Sequence, residues 1–173
     1  MPTHYKGAEN KVRVLNAFIT LMRASDSLAA RGNELLEAEG LTHGQFGTLE
    51  ALLHLGPQCQ RELGEKLLRS GGNLTLVIDN LGKKGWVRRE RQPDDRRKVL
   101  VSLTPKGRSR IEKVFPEHVA FLTRAFSGLR AQEQETLRLL CRKLGKSLQG
   151  AGWTTGRRTN DGKAKSKAHR THP

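Results

Sequence analysis

The most informative segment of this chain is residues 71–103, GGNLTLVIDNLGKKGWVRRERQPDDRRKVLVSL. The first part of this segment has apolar side chains at helical spacing until Gly85, which predicts a helix. Residues 86–91 and 98–103 then have the composition of two strands, and the turn residues 92–95 between them predict a β-hairpin. A helix followed directly by a hairpin with a basic tip predicts a winged unit, whose hairpin can reach a nucleic-acid backbone or minor groove.

A second short helix is predicted just upstream, over residues 60–68, with Cys59 at its N-cap position. Ser70, Gly71 and Gly72 separate it from the helix that follows, and this composition predicts a tight turn. Two short helices around a tight turn form a helix-turn-helix unit. The second helix of such a unit suits the major groove of DNA, because the diameter of a helix matches the width of that groove.

The chain before this unit contains two more predicted helices. From Lys11 to about Glu37, apolar residues recur at helical spacing in a stripe wider than a lone surface helix needs. We therefore expect this stripe to be buried against another element or a second subunit. Thr42 and Gln45 have the spacing of a capping box, which predicts that the next helix begins there and continues to Leu55.

The chain after the unit contains the last predicted helices. Thr104 as N-cap and Pro105 at the first helical position predict a helix that continues to Phe126, and Pro116 should kink or split it. A final amphipathic helix is predicted over 131–148. Because the first and last helices both carry apolar stripes, we expect them to pack together with their counterparts from a second chain in a two-fold dimer.

The predicted fold is therefore mainly α with a small β-hairpin wing. It comprises a winged helix-turn-helix domain and a dimerisation domain built from the N- and C-terminal helices. The predicted divisions are 11–40 for the N-terminal dimerisation helix, 41–104 for the winged domain, 105–148 for the C-terminal dimerisation helices and 149–173 for a tail.

The formal net charge of +15 indicates a polyanionic partner. Residues 1–80 have a net charge of −1, whereas residues 81–113 hold 12 basic and 4 acidic side chains, a net charge of +8. More than half of the total therefore lies on the predicted wing and the adjoining helix ends. Residues 149–173 add a net charge of +5 without apolar periodicity, which predicts a disordered basic tail. The tail either adds non-specific attraction to phosphate or only aids solubility.

The rest of the composition excludes several classes of protein. A length of 173 residues suits one domain rather than a large multidomain enzyme. No stretch approaches the roughly 18 to 20 apolar residues of a membrane span, and the N-terminus is polar, so we expect a soluble, cytoplasmic protein without a membrane partner. The histidines lack the spacing of a metal site, and a phosphate loop, a nucleophile elbow and a catalytic carboxylate pair are absent. We therefore expect no catalysis, no cofactor and no metal.

These residues together resemble the MarR family of bacterial winged helix-turn-helix regulators over about residues 11–148. The likeness rests on 41–49 (LTHGQFGTL), on 70–75 (SGGNLT) with 81–87 (LGKKGWV), and most specifically on 95–104 (DRRKVLVSLT). The last of these is similar to the family's wing signature, which is Asp-x-Arg followed by a strand that ends in Leu-Thr.

The resemblance implies that Asp95 steadies Arg97 while Arg97 enters the minor groove, whose negative potential a guanidinium can occupy. It also implies a homodimer on a palindromic operator, with half-site centres about 10 base pairs apart, and usually repression. Within the family, residues 64–68 and 115–118 are most similar to members that respond to phenolic or quinone-like compounds. A small aromatic effector is therefore an expected partner, beside double-stranded DNA.

The candidate DNA contacts are polar side chains that the core stripes do not need, on the two short helices and on the wing. Asn side chains can pair with adenine, and Ser70 with the glycines can present backbone amides to phosphate. The alternative is a solvated helix face, which the adjacent wing charge makes the less favoured interpretation. The candidates are Arg61, Ser70, Asn73, Thr75, Asp79, Asn80, Lys83, Lys84, Arg88, Asp95, Arg96, Arg97 and Lys98.

A candidate effector pocket lies between the winged unit and the dimerisation helices. It combines polar imidazoles with apolar side chains, and the alternative is that the apolar members are ordinary core. The candidate lining residues are Met22, His43, Phe46, Leu53 and His54.

Two rival functions remain open from the sequence. The first is a non-specific architectural nucleic-acid binder that acts through charge alone. The second is a thiol-based redox sensor that uses Cys59, because a helix N-terminus lowers the pKa of a thiol. Against the second, no other cysteine lies near Cys59 in the sequence, and Cys141 belongs to an apolar stripe in which cysteine is ordinarily a small buried hydrophobe.

Overall fold

The computed structural model describes residues 2–67, 71–91 and 99–150. It divides into two compact units, Met1–Gly128 and Leu129–Pro173, and the described part of the second consists mainly of its helix. In chain order the elements are α1 (Glu9–Ala38), α2 (His43–Leu55), β1 (Gln58–Cys59), α3 (Gln60–Lys66), α4 (Gly71–Lys83), β2 (Val87–Arg91), β3 (Val99–Leu103), α5 (Pro105–Ala125) and α6 (Ala131–Gly150). This architecture confirms the predicted fold class.

The predicted helix starts at Thr42 and Thr104 are confirmed in detail. The Thr42 hydroxyl accepts from the Gln45 amide at 3.2 Å, and the Gln45 side chain accepts from the Thr42 amide at 3.2 Å. These two bonds form the capping box that the spacing predicts. The Thr104 hydroxyl likewise accepts from the amide of Gly107 at 3.0 Å. Both helices therefore begin where their caps satisfy amides that the first turn leaves unpaired.

The core of the first unit lies where α1, α2, α4 and α5 meet the sheet. Each helix contributes the apolar side of its periodic pattern, and the sheet contributes inward-facing valines. At Gly107, α5 lies directly against the backbone of Trp86, because a Cβ there would lie 1.9 Å from the carbonyl oxygen of Trp86. The buried apolar residues are Leu36, Leu41, Phe46, Leu49, Leu52, Leu63, Leu74, Val77, Ile78, Leu81, Val87, Val101, Ile111 and Val114.

The sheet has one strand that the sequence analysis does not predict. Its order is β1-β3-β2 and both pairs are antiparallel. In β1, Gln58 pairs with Val101 and Cys59 pairs with Leu100. A strand of two residues carries no periodic signal, so only its partner β3 defines it.

The expected turn at Gly71 and Gly72 is wrong, and so is one of the two outcomes expected at Pro116. Gly71 and Gly72 are the first residues of α4 and not part of a turn. The first turn of a helix needs no intrahelical acceptor for its amides, so glycine is tolerated there. Pro116 lies inside α5, which continues as one helix from Pro105 to Ala125, so the expected split does not occur. Proline removes one amide donor from the helix, and Ile111 and Val114, which are buried, hold the preceding turns of α5 in the core.

Apolar stripes on two helices remain exposed on the single chain. On α1 the stripe comprises Val14, Phe18, Leu21 and Met22, and Phe18 is 58% exposed. On α6 it comprises Leu137, Leu140, Leu144 and Leu148. Cys141 of α6 is also exposed on the single chain rather than buried as expected. Among the described helices, none has the length and apolar character that crossing a bilayer requires.

Candidate nucleic-acid interface

Helix α4 separates an apolar face from a polar one. Leu74, Ile78 and Leu81 are buried against the rest of the first unit. Asn73, Thr75 and Lys83 are exposed, whereas Asp79 and Asn80 are half-buried. The structure thus brings the five candidate residues of this helix to accessible positions outside the core. Base contact by these side chains stays a prediction.

Helix α3 supports α4 and carries one further candidate DNA contact, Arg61. Leu63 is fully buried, which fixes α3 beneath α4. Arg61 is exposed and donates to Glu65 at 3.2 Å, one turn further along the same helix. Such exposed pairs contribute little to stability, typically about 0.3–0.5 kcal/mol, so the Arg61 guanidinium can exchange this partner for a phosphate at small cost.

A network that the sequence analysis misses joins α4 to the first strand of the wing. Arg89 of β2 forms an ion pair with Asp79 and donates from Nη2 to the Thr75 carbonyl at 3.2 Å. Its Nε donates to Gln60 Oε1 at 3.2 Å, and Gln60 Nε2 donates to Thr75 Oγ1 at 2.9 Å. We call Arg89, Asp79, Thr75 and Gln60 the Arg89 network. No periodic pattern brings these four positions together, because they belong to three different elements.

The described part of the wing is basic along β2. Arg88 donates from Nε to Ser102 Oγ at 3.1 Å and forms an ion pair with Glu90 at 3.0 Å. Arg91 is exposed. The candidates Ser70, Asp95, Arg96, Arg97 and Lys98 lie outside the described residues, and their roles stay predictions.

Lys84 is already engaged within the chain. Its Nζ donates to the Gly40 carbonyl at 2.7 Å and lies 4.7 Å from the centre of the Trp86 ring. Arg110 contacts the same ring at 5.7 Å and forms an ion pair with Glu39 at 2.9 Å. Lys84 therefore connects the end of α4 to the end of α1, a structural role beside the predicted DNA contact.

Three of the effector-pocket candidates, Phe46, Leu53 and His54, lie around the contact between α2 and α5. Met22 is exposed on α1. The Phe46 ring is 4.3 Å from the His118 ring, and the His54 ring is 4.9 Å from the Phe115 ring. Leu53 packs at the edge of the core. His43 lines a separate groove of about 360 Å³, between α1, α2 and α4, to which none of the other four candidates contributes.

His118 is the aromatic neighbour that the sequence analysis does not place in this group. Burial lowers its pKa, the charge of Glu50 opposes that shift, and His43 adds to it. Its buried Nδ1 has no hydrogen-bond partner within the described part of the chain. The imidazole is therefore favoured in its neutral form between the rings of Phe46 and Phe121.

The remaining candidates are the two cysteines and any group of metal-binding side chains. Cys59 is half-buried at the N-terminus of α3 and is a free thiol, as is Cys141. Across residues 2–67, 71–91 and 99–150, His, Cys, Asp and Glu side chains form no group of three that could hold a metal ion.

Comparison with known proteins agrees with this geometry. The MarR family model matches residues 41–99, which run from the start of α2 to the start of β3. The chain is 36% identical over 137 residues to the HTH-type transcriptional regulator YkoM of Bacillus subtilis, and the match covers 79% of this chain and 89% of YkoM.

Two solved structures are similar to the present chain over most of their length. One is a mutant of Escherichia coli MarR in complex with operator DNA, with 29% identity and a TM-score of 0.68 over 80% of this chain and 99% of that one. The other is Bordetella bronchiseptica BpsR, whose DNA binding is regulated by 6-hydroxynicotinic acid, with 29% identity and a TM-score of 0.68 over 75% and 98% of the two chains.

The fold, the accessible polar face of α4 and these relatives agree with one another. The chain belongs to the MarR family of DNA-binding transcriptional regulators.

Proposed function

We propose that this protein is a cytoplasmic, homodimeric repressor that binds a palindromic operator and is released by a small aromatic effector. The observation that carries the proposal is the accessible polar face of α4 beside Arg88 and Arg91 of β2. Polar side chains on a helix of this diameter can read base edges, while neighbouring cations contact phosphate. A surface of this kind supports sequence-specific binding rather than attraction by charge alone.

The dimer is supported by the exposed stripes of α1 and α6. The α1 stripe contains Val14, Phe18 and Met22, which recur every four residues and so form one continuous face of the helix. Contiguous exposed apolar surface of this kind marks a protein–protein interface. A two-fold dimer buries the stripes of both chains. It also presents two copies of α4 related by the same symmetry, which matches a palindromic operator.

The effector is supported by two separate observations. BpsR is regulated by 6-hydroxynicotinic acid, which is a hydroxylated aromatic compound. In this chain, Phe46, His118 and Phe121 form an aromatic group at the contact between α2 and α5. An effector that binds better to the arrangement unable to bind DNA shifts the population toward it and lowers operator occupancy.

The test begins with selection of duplexes from a random library by the purified protein. Affinities for a selected duplex and for a scrambled duplex of equal composition are then measured across a salt series. We expect the selected duplex to bind more tightly at every salt concentration. Equal affinities throughout would contradict the proposal and favour the non-specific binder.

The effector is tested on the selected complex with a panel of phenols, quinones and hydroxylated aromatic acids. We expect at least one compound to release the duplex. Cys59→Ser is the control for the rival thiol mechanism. Release by a quinone or a peroxide that disappears in this variant would favour a redox sensor instead.

A further inference from the structure

The Arg89 network joins three elements through one side chain. The guanidinium of Arg89 donates to acceptors on α3 and α4, although Arg89 itself belongs to β2. Gln60 then closes the network by donating to Thr75 at 2.9 Å. The position of the wing strand is therefore coupled to the position of α4 by a set of directional bonds.

Arginine is suited to this position and lysine is not. The guanidinium presents its donors in a rigid planar fork, so Nε, Nη1 and Nη2 can reach different acceptors at the same time. An ammonium group at the end of a flexible chain can replace the charge but not this geometry. The side chains of Arg89 and Asp79 are 33% and 43% exposed, so solvent weakens the Coulomb attraction and the geometry carries more of the effect.

Asp79 places a negative charge on the surface that is proposed to bind DNA. It lies on the same helix as the candidate base contacts, and an unpaired carboxylate there would repel phosphate. In the structure, its charge is compensated by Arg89. This pairing accounts for an acidic residue on α4 without requiring it to contact a base.

We propose that Arg89 is a positioning residue for DNA recognition and that Asp79 acts through Arg89 rather than by reading bases. Arg89 holds the polar face of α4 at a fixed orientation to β2 and neutralises Asp79. The inference rests on the proposed function, namely that this surface binds a specific operator.

We expect the fold to tolerate loss of the Arg89 network. Leu74, Ile78 and Leu81 hold α4 in the same buried cluster as Val87 of β2 and Val101 of β3. Loss of the Arg89 bonds should therefore leave the unit folded and change only the orientation of α4. Specific binding requires that orientation, whereas non-specific binding requires only positive charge.

The first test compares Arg89→Lys with the wild type on a library-selected duplex and on its scrambled counterpart. The substitution keeps the charge and removes the fork. We expect affinity for the selected duplex to fall about tenfold, because the polar face of α4 loses its fixed orientation to β2, and affinity for the scrambled duplex to stay unchanged. The thermal midpoint should stay close to that of the wild type. Equal losses on both duplexes, or no loss on either, would overturn the inference.

The second test separates an indirect role of Asp79 from base reading. Arg89→Gln leaves Asp79 unpaired near the phosphates, so we expect operator affinity to fall by more than in Arg89→Lys. Adding Asp79→Asn to Arg89→Gln should restore part of that loss, because the repelling charge is removed. If Asp79 contacts a base directly, the second substitution will lower operator affinity further, and the inference is wrong.

The matched control is Arg108→Gln, which removes one positive charge from an exposed pair with Glu112 on α5. It should lower affinity for both duplexes equally, if at all. A wild-type protein that binds both duplexes equally would overturn the proposed function and the inference together. A selective wild type with an equally selective Arg89→Lys variant would overturn the inference alone.

Discussion

The winged part of the chain and its terminal helices differ in whether their apolar side chains are buried. Most leucines of α2, α3 and α4 are buried within the single chain, among them Leu52, Leu63 and Leu74. The leucines of α6 remain exposed, as do Val14 and Phe18 in the first half of α1. Both regions have helical apolar periodicity. Periodicity therefore predicts a helix and a face, but not whether the same chain covers that face.

The largest expected effect concerns the terminal stripe. Phe18→Asp places a charge on each of two symmetry-related stripes in the proposed dimer. Loss of two buried aromatic side chains should weaken association by about 3–6 kcal/mol, because each contributes roughly 1.5–3 kcal/mol when fully buried. Sedimentation should show a folded monomer. The control is Thr20→Asp, an exposed position on the other side of α1. A Phe18→Asp dimer of unchanged stability would remove α1 from the interface.

The second prediction compares two leucines of α4 that differ in burial. Leu74 is 1% exposed and Leu76 is 60% exposed. Leu74→Ala should lower the free energy of unfolding by about 2–5 kcal/mol through lost contacts and a cavity. Leu76→Ala should change it by no more than about 0.5 kcal/mol. Denaturant unfolding measures both, and similar losses would mean that the winged core is not as described.

The third prediction concerns DNA contact by the wing. Arg97 lies outside the described residues, and the family resemblance implies its role in the minor groove. Arg97→Ala should weaken operator binding by about 1–3 kcal/mol without changing the thermal midpoint. Unchanged affinity on a selected duplex would refute the wing contact. Phe18→Asp and Arg97→Ala together distinguish loss of the dimer from loss of the DNA contact made by the wing.

The smallest effect concerns His118, at the contact between α2 and α5. Burial lowers its pKa in the folded state below the ordinary 6.5, so the unfolded state binds a proton first as the pH falls. The stabilising contribution is complete above pH 6.5 and is lost as the pH falls through the lower, folded value. Thermal midpoints from about pH 8 to about pH 5 should therefore decline less in His118→Gln than in the wild type. Parallel curves for the two proteins would contradict this effect.

Much of the fold follows from local sequence, and the reasons are visible at single residues. Thr42 and Thr104 are predicted as caps because a hydroxyl acceptor and its amide lie three residues apart on one chain. The failures are equally local. Gly71 is expected in a turn and lies in a helix, since glycine in a first turn has the same composition signal as glycine in a loop.

The candidate site was predictable only in part. The polar face of α4 follows from the positions that its apolar stripe leaves over. Arg89 and Gln60 do not, because their partners lie on other elements and no spacing rule connects them. The same is true of Lys84, whose carbonyl partner Gly40 is 44 residues away in sequence.

The chain alone predicts most of each helix, the hairpin, the threonine caps and the location of the positive charge, because these depend on interactions within a few residues. Three other features emerge only from the folded arrangement: β1 joins the sheet, Arg89 neutralises Asp79, and certain apolar stripes stay exposed on the single chain. These outcomes depend on distances between elements. Such distances are set by how whole faces pack, and no local pattern in the chain encodes them.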